Sequence, residues 1–334
     1  MRSTSEDKAD EWIGEGRGSA TPGHVIAGTP RVAILMCTYN GATYLREQLD
    51  SFQRQTITNW TLYVSDDASS DNTLEILAEY QIRWGSDKLL IFNGPCQGFA
   101  ENFVSLLQRE EVRGEFFSFS DQDDIWFSDK LERALSKLKG VVVDMPSMYC
   151  SRTRLTDADG RVIGCSPLFE RPPAFENALV QSIAGANTMV INRAARALLL
   201  QLPKDVSVVA HDWLTYLLIT GSGGTVIYDA DPCLDYRQHD GNVIGANASL
   251  MDQLSRFRGM LSGRFVHWND LNVNVLKRME AVLSDHGREA LACFDNGRKQ
   301  QFFKRVAALK RVGIYRQTRR GNISLFLASW LGRI

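Results

Sequence analysis

The sequence lacks the two glycine signatures that most readily betray a bound nucleotide. No GxGxxG follows its first apolar run and no GxxxxGK[ST] occurs in it, which excludes a dinucleotide-binding turn and a P-loop. Its six cysteines, at 37, 96, 150, 165, 233 and 293, have neither CxxC nor Cys/His ligand spacing, and no secretory signal opens the chain. They read as reduced thiols in a cytosolic protein. Net charge is also scarce, at -1 over 334 residues, so the whole molecule advertises no polyanion partner. Acid is missing from one place only. After Asp295 there are ten Lys/Arg and no Asp/Glu, leaving 28 Lys/Arg against 39 Asp/Glu, a charge of -11, in the remainder. The last forty or so residues are a separate basic block.

What is present suits one large α/β domain or two smaller ones, with apolar content ample for a core. Residues 1–30 are rich in Ser, Thr, Gly, Glu and Asp without apolar period, the composition of a disordered leader. From Val32 to Met36 the chain is continuously apolar, as a strand covered on both faces requires. A helix with Leu45, Leu49 and Phe52 on one face follows. Trp60–Ser65 reads as a strand in which Leu62 and Val64 alternate with polar positions. Asp71 or a neighbouring serine caps a helix carrying Leu74, Leu77 and Tyr80. Leu89–Phe92 is a third strand, before a helix with Phe103 and Leu107. Phe116 to Ser120 is a fourth, and Asp129 then caps a helix with Leu131, Leu135 and Leu138. Four strand-helix units in a row predict a mostly parallel, doubly wound sheet.

Ligands bind such sheets beyond the carboxyl ends of the strands. The polar clusters Thr38-Tyr39-Asn40, Asp66-Asp67, Gln97-Gly98 and Asp121 to Asp124 all fall there, so four loops are expected to converge on one crevice. Carboxylates packed at a strand tip repel one another unless a hard divalent cation neutralises them. Mg2+ and Mn2+ take oxygen ligands shared between carboxylates and a substrate's phosphates. An acidic turn capping the next helix is the bland alternative for an isolated Asp-x-Asp.

Four motifs in order carry a resemblance: Cys-Thr-Tyr-Asn-Gly at 37–41, Ser-Asp-Asp-Ala-Ser-Ser-Asp-Asn-Thr at 65–73, Gly-Phe-Ala-Glu-Asn-Phe at 98–103 and Ser-Asp-Gln-Asp-Asp-Ile-Trp at 120–126. Over residues 31–245 the chain resembles the inverting family 2 glycosyltransferases, which have the GT-A fold. Asp-Gln-Asp-Asp-Ile-Trp followed by Asp129-Lys130-Leu131 resembles their rhamnosyltransferase-like branch. One departure is Glu101, where many relatives carry a basic residue.

The resemblance implies Thr38, Tyr39 and Asn40 at the donor's base and ribose, and Asp67, more than Asp66, at the base imide. Gly98, Asn102 and Gln122 belong to the same donor-binding loops. Asp123 is implied as the metal ligand for Mg2+ or Mn2+, with Asp121 near the ribose or a metal-bound water. Asp124 is as consistent with a structural role as with a catalytic one. Asp212, in Ala210-His211-Asp212-Trp213, has two readings: an N-cap by residue preference, or, by the resemblance, the base that deprotonates the acceptor hydroxyl. His211 would orient or pack beside it. Tyr236-Arg237-Gln238-His239-Asp240-Gly241-Asn242-Val243-Ile244-Gly245 resembles a string of the same branch. There His239 is either a solvated loop histidine or a ligand of metal or diphosphate, and Arg237 pairs with phosphate oxygens. Gly241 and Gly245 suggest a loop that folds over the donor.

The rest organises the acceptor side. Thr156 to Arg161 reads as a hairpin turn rather than a second metal site. Gly185 to Arg193 reads as a strand entering a helix, and resembles the family segment under the acceptor. From Leu250 the pattern is helical, and in its final part no run approaches the roughly 18 apolar residues of a spanning helix. The expected domains are a leader at 1–30, a GT-A domain at 31–248 and a helical basic region at 249–334. That region is either a solvated subdomain packed on the core or an interfacial helix pair attracted to anionic lipid. The second is favoured because the resembling branch extends lipid-linked glycans. No nucleic-acid motif accompanies the basic block.

The implied activity is metal-dependent transfer of a sugar, rhamnose from dTDP-rhamnose foremost, to a glycan hydroxyl in surface polysaccharide or O-antigen synthesis. It would take place in the cytoplasm, on the inner face of the plasma membrane. A UDP-hexose donor and a catalytically silent carbohydrate-binding scaffold at the membrane are the alternatives. A sugar-nucleotide pyrophosphorylase would need a glycine-rich basic loop where Cys37 to Gly41 stands.

Overall fold

The computed structural model describes residues 29–239 and 263–334. The leader up to residue 28, Gly241, Gly245 and the expected boundary at 248 and 249 lie outside them. The apolar run at residue 32 becomes β1 (Val32–Thr38), flanked on both sides by parallel partners, β2 (Trp60–Asp66) and β4 (Phe116–Ser120). Both faces of β1 are also buried. Ala33 and Leu35 join one core while Val32, Ile34 and Met36 join the other, as the two-residue period of a strand dictates.

Seven strands run in the order β10 (Thr225–Asp229), β6 (Ser147–Ser151), β9 (Val190–Asn192), β4, β1, β2, β3 (Leu89–Asn93). β3, β2, β1 and β4 are parallel, β9 is antiparallel to both its neighbours, and β10 is parallel to β6. The mostly parallel α/β sheet expected from the sequence is thus present, with one reversed strand dividing it. A second sheet of β5 (Ile125–Trp126), β11 (Leu234–Arg237), β7 (Arg154–Thr156) and β8 (Val162–Cys165) was not foreseen. It ties the acidic loop after β4 to the Tyr236-Arg237 segment through Asp235 opposite Ile125. The expected hairpin joins β7 to β8, with Gly160 at φ +81° and Asp157 accepting from the Asp159 and Arg161 amides.

Helices α1 (Leu45–Gln53), α2 (Thr73–Trp84), α3 (Phe99–Gln108) and α4 (Lys130–Leu138) cover the parallel half. Leu45, Leu49 and Phe52 are fully buried, each stabilising by roughly 1.5–3 kcal/mol. Three local expectations need correction. All seven residues of β2 are buried, Tyr63 filling the second face, because β2 is an interior strand and not a half-exposed one. Leu74 is 44% exposed, and α2 packs through Ile76, Leu77 and Tyr80 instead. Asp129 stands at the start of α4 without a side-chain capping bond. Asp71 does act at the start of α2, accepting from the Thr73 amide at 3.0 Å.

The second half adds α5 (Phe175–Ala178), α6 (Arg193–Leu199) capped by Asn192, and α7 (His211–Gly221). After residue 263 come α8 (Arg264–Arg278), α9 (Asp285–Arg298), α10 (Phe302–Val312) and α11 (Arg319–Leu331). Val273, Leu276, Leu291, Phe294, Leu309 and Leu325 share one buried cluster with Trp213 and Leu217 of α7. The C-terminal helices therefore complete the core around α7. No described helix is long and apolar enough to cross a membrane.

Candidate active site

The crevice is built where the strands end. At the tip of β1 the Thr38 hydroxyl donates to Asp66 at 2.7 Å, and the Asp67 amide returns to the Thr38 carbonyl at 2.8 Å. Asn40 takes a left-handed backbone, φ +47°, and its side chain accepts from the Ser70 amide at 2.8 Å. Asp66 also accepts from the Ser69 amide and hydroxyl at 2.9 and 2.6 Å. Thr38 and Asp66 are buried and spend themselves on each other, so they shape the two loops.

Asp67 faces a third loop. Its carboxylate accepts from the amides of Cys96 at 2.6 Å and Gly98 at 3.2 Å. That loop must pass close: a Cβ on Gly94 would stand 2.6 Å from Asp67 Oδ1 and 3.0 Å from the Asp66 carbonyl, and Gly98 has φ +96°. From α3 the buried Asn102 donates to the Ser65 carbonyl at 3.1 Å, locking the helix to the end of β2.

The fourth loop holds the acids. Gln122 grips the Tyr39 backbone twice, accepting its amide proton and donating to its carbonyl, both at 3.0 Å. Asp123 lies 2.8 Å from His239 Nε2. Arg237 is buried, with its guanidinium on Glu47 at 2.7 Å, the Ala158 carbonyl at 2.9 Å and the Asp123 carbonyl at 3.3 Å. These bonds give it a part in holding the acidic loop. Asn40, Gly41, Tyr44, Gln122, Asp123 and His239 line a cavity of about 560 Å³, room enough for a small-molecule ligand.

Charge in this loop is unbalanced. Burial, then the neighbouring Asp123 and Asp212 charges, push Asp121 up to about 7 against an opposing pull from Lys130. Burial, then Asp121 and Asp123, also push Asp124 well above the carboxylate range. Asp124 accepts from Asn187 at 2.6 Å while its Oδ1 meets no partner. Behind it Lys130 is wholly buried, donating to Ser118 at 3.0 Å over the Trp126 ring, with its ammonium pulled down to about 8 by burial. Sequence reasoning missed Lys130. A signal existed, because it stands four and eight residues before the buried Ala134 and Leu138, on the inward stripe of an amphipathic helix.

Across the crevice, Asp212 occupies the second position of α7, whose N-cap is Ala210, so the capping reading of Asp212 does not hold. It accepts from the Trp213 amide at 2.7 Å and from Ser182, another residue missed, at 3.4 Å. Burial lifts it to about 6. His211 is packed as expected: its ring stacks on Phe103 at 4.0 Å, neither nitrogen has a partner, and burial draws it down to about 3. It is a neutral side chain.

Among the described residues no group of three or more His, Cys, Asp or Glu converges as a metal cage. The Asp123–His239 pair still suits a divalent cation in kind. It offers one oxygen and one imidazole donor beside surplus negative charge, leaving further positions for phosphate oxygens and water.

The family model for glycosyl transferase family 2 matches residues 33–194, a span that holds the first three strand-end loops and the acidic loop. The chain belongs to glycosyl transferase family 2. Among curated relatives, the dTDP-rhamnosyl transferase RfbG of Shigella flexneri is 29% identical over 234 residues, 66% of this chain and 77% of that protein. The Escherichia coli UDP-Glc:alpha-D-GlcNAc-diphosphoundecaprenol beta-1,3-glucosyltransferase WfgD is 36% identical over 107 residues, 32% of this chain and 40% of that one. Among solved structures, S. aureus TarS 1-349 with UDP-GlcNAc aligns at TM-score 0.51 and 16% identity, covering 85% of this chain and 93% of TarS. The mannosyltransferase PcManGT of Pyrobaculum calidifontis, with GDP-Man and Mn2+, aligns at 0.51 and 16%, covering 92% and 86%. These structural likenesses establish the glycosyltransferase fold of this family 2 chain.

Proposed function

We propose that this family 2 glycosyltransferase inverts a sugar during its transfer from a nucleoside diphosphate to a glycan hydroxyl, with dTDP-rhamnose the favoured donor. The observation that carries this reading is a pair of half-buried carboxylates brought near one another by different elements. Asp121 follows β4 and Asp212 lies in the first turn of α7, close enough for the charge on Asp212 to raise Asp121. Asp212 takes the acceptor proton as that oxygen attacks the anomeric carbon and the diphosphate departs on the opposite side. A carboxylate lifted to about 6 is still ionised at neutral pH and is a stronger base than an ordinary aspartate. Asp123 and His239 would hold a Mg2+ or Mn2+ ion that stabilises charge on the departing diphosphate. Asn40, Gln122 and the Tyr39 backbone are suited to the base and ribose, and Asp67 orders the loop beside them.

Rhamnose rests on the RfbG likeness and on the Asp-Gln-Asp-Asp-Ile-Trp string. The WfgD likeness supports a second reading, a UDP-hexose donor and a lipid-linked acceptor. Both readings place the chain in polysaccharide synthesis at the cytoplasmic face of a membrane. A donor panel with Mn2+ or Mg2+, read by thermal shift and nucleotide release, tests them. Stabilisation and turnover with dTDP-rhamnose are expected. Activity with UDP-hexoses alone selects the second donor, and neither binding nor release with any donor leaves a silent scaffold.

A further inference from the structure

The end of the chain carries an apolar stripe that the transfer reaction does not use. On α11, Ile323, Phe326 and Trp330 are 63%, 50% and 52% exposed. Their spacing of three and four residues sets them on one face, while Leu325, Ala328 and Ser329 bury the other. The stripe continues onto α10: the Phe302 ring lies 5.9 Å from Trp330 and 4.6 Å from Phe303, which is 83% exposed. Arg305 fastens the two helices, donating to the Ser329 carbonyl at 2.8 Å. A contiguous apolar patch on a rigid helix pair marks an interaction surface.

Its border is cationic. Lys304, Lys310, Arg311, Arg319 and Arg320 are exposed, and none of them forms an ion pair with a described acid. Arg319 and Arg320 occupy the first turn of α11, which holds no acid. Positive charge there opposes the helix dipole, and an anionic surface would reverse that cost. A second copy docked patch to patch would set these cations against their own kind. Nucleic acid would leave Ile323 and Trp330 in water. An anionic bilayer satisfies both halves of the patch: aromatic side chains rest at headgroup depth, and lysines and arginines meet lipid phosphates.

We propose that α10 and α11 dock the protein on an anionic lipid bilayer, inserting Phe303, Ile323, Phe326 and Trp330 and pairing their basic border with lipid headgroups. The surface is separate from the donor crevice, so this proposal stands or falls independently of the donor. Full-length protein is sedimented with vesicles of phosphatidylcholine alone or with phosphatidylglycerol. Binding is expected only to the anionic vesicles and is released by high salt. The variant Arg319→Gln/Arg320→Gln should lower partition about thirtyfold, at about 1 kcal/mol per cation near the surface. The variant Phe326→Ser/Trp330→Ser should weaken binding to anionic vesicles at low salt, where the wild type binds. Both should keep the wild-type thermal midpoint, since they alter exposed side chains. The proposal is overturned if wild type ignores anionic vesicles, if both variants bind as wild type does, or if the apolar variant converts a dimer to a monomer.

Discussion

Asp295 and the aspartates of the crevice are one chemical group in opposite surroundings. Burial alone would raise Asp295, but Lys277 at 2.5 Å, Lys299 at 2.8 Å and Arg298 at 3.1 Å hold it well below the usual carboxylate range. Asp121, Asp124 and Asp212 are raised by burial, Asp121 also by Asp123 and Asp212 and Asp124 also by Asp121 and Asp123, with Lys130 pulling Asp121 back down. Charge balanced inside the fold holds helices together. Charge left in surplus at the mouth of a sheet is what the proposed divalent cation would balance.

The largest test of that contrast removes the base. Asp212→Asn should cut transfer by about 10²–10⁴-fold while leaving donor affinity in calorimetry nearly intact; a near wild-type rate would move the base elsewhere. Next, Asp295→Asn strips a buried carboxylate from its cations and should cost about 3 kcal/mol of stability in urea unfolding without changing donor affinity. If donor affinity fell and stability held, the two classes of aspartate would not be distinct. A smaller effect is expected at Asp123→Ala, with Mn2+-dependent donor binding weakened about 30-fold, roughly 2 kcal/mol, and metal-free binding unchanged.

The smallest effect sharpens the contrast through pH. Asp212 must be ionised to accept a proton, so the rate should be level above about pH 7 and fall about tenfold per unit below 6. The stability linkages run in opposite directions. With its folded value raised to about 6, Asp212 contributes stability below the ordinary aspartate value, and that contribution is lost as pH rises through 6. With its folded value depressed, Asp295 contributes above the ordinary value and loses that contribution as acid is added. Acid titration of the unfolding midpoint in Asp295→Asn and Asp212→Asn should bend in opposite senses.

The parallel half was legible because its elements are local: each apolar run ends in a polar loop, and each loop lies at a strand's carboxyl end. What escaped depends on partners far along the chain. Tyr63 looked like one of the alternating positions of a half-exposed strand until Phe103, Leu106 and Leu107 of α3 joined it in one buried cluster on the second face of β2. Leu74 and Ile76 are equally apolar, and only the sheet beneath decides which turns inward. The second sheet is built from segments of two to four residues, too short for any period to register. At the site, the strand-end acids were visible from residue type and place and Asp212 was singled out by the family resemblance, whereas Lys130 and Ser182 are ordinary residues that stand out only through what they face. Arg237 illustrates the limit, since its bonds to Glu47 and two carbonyls depend on three separate segments.

The double grip of Gln122 on the Tyr39 backbone bears on the entropy of donor capture. Two loops that would otherwise be ordered separately arrive already fastened, as a strand pair would be, by a single side-chain amide. Fixing one residue's backbone costs roughly 1–2 kcal/mol, so this clasp removes a comparable ordering cost from the moment of binding. Under the proposed function the nucleoside would meet a wall already preorganised, and affinity gained there would depend on the shape held by residues 39 and 122.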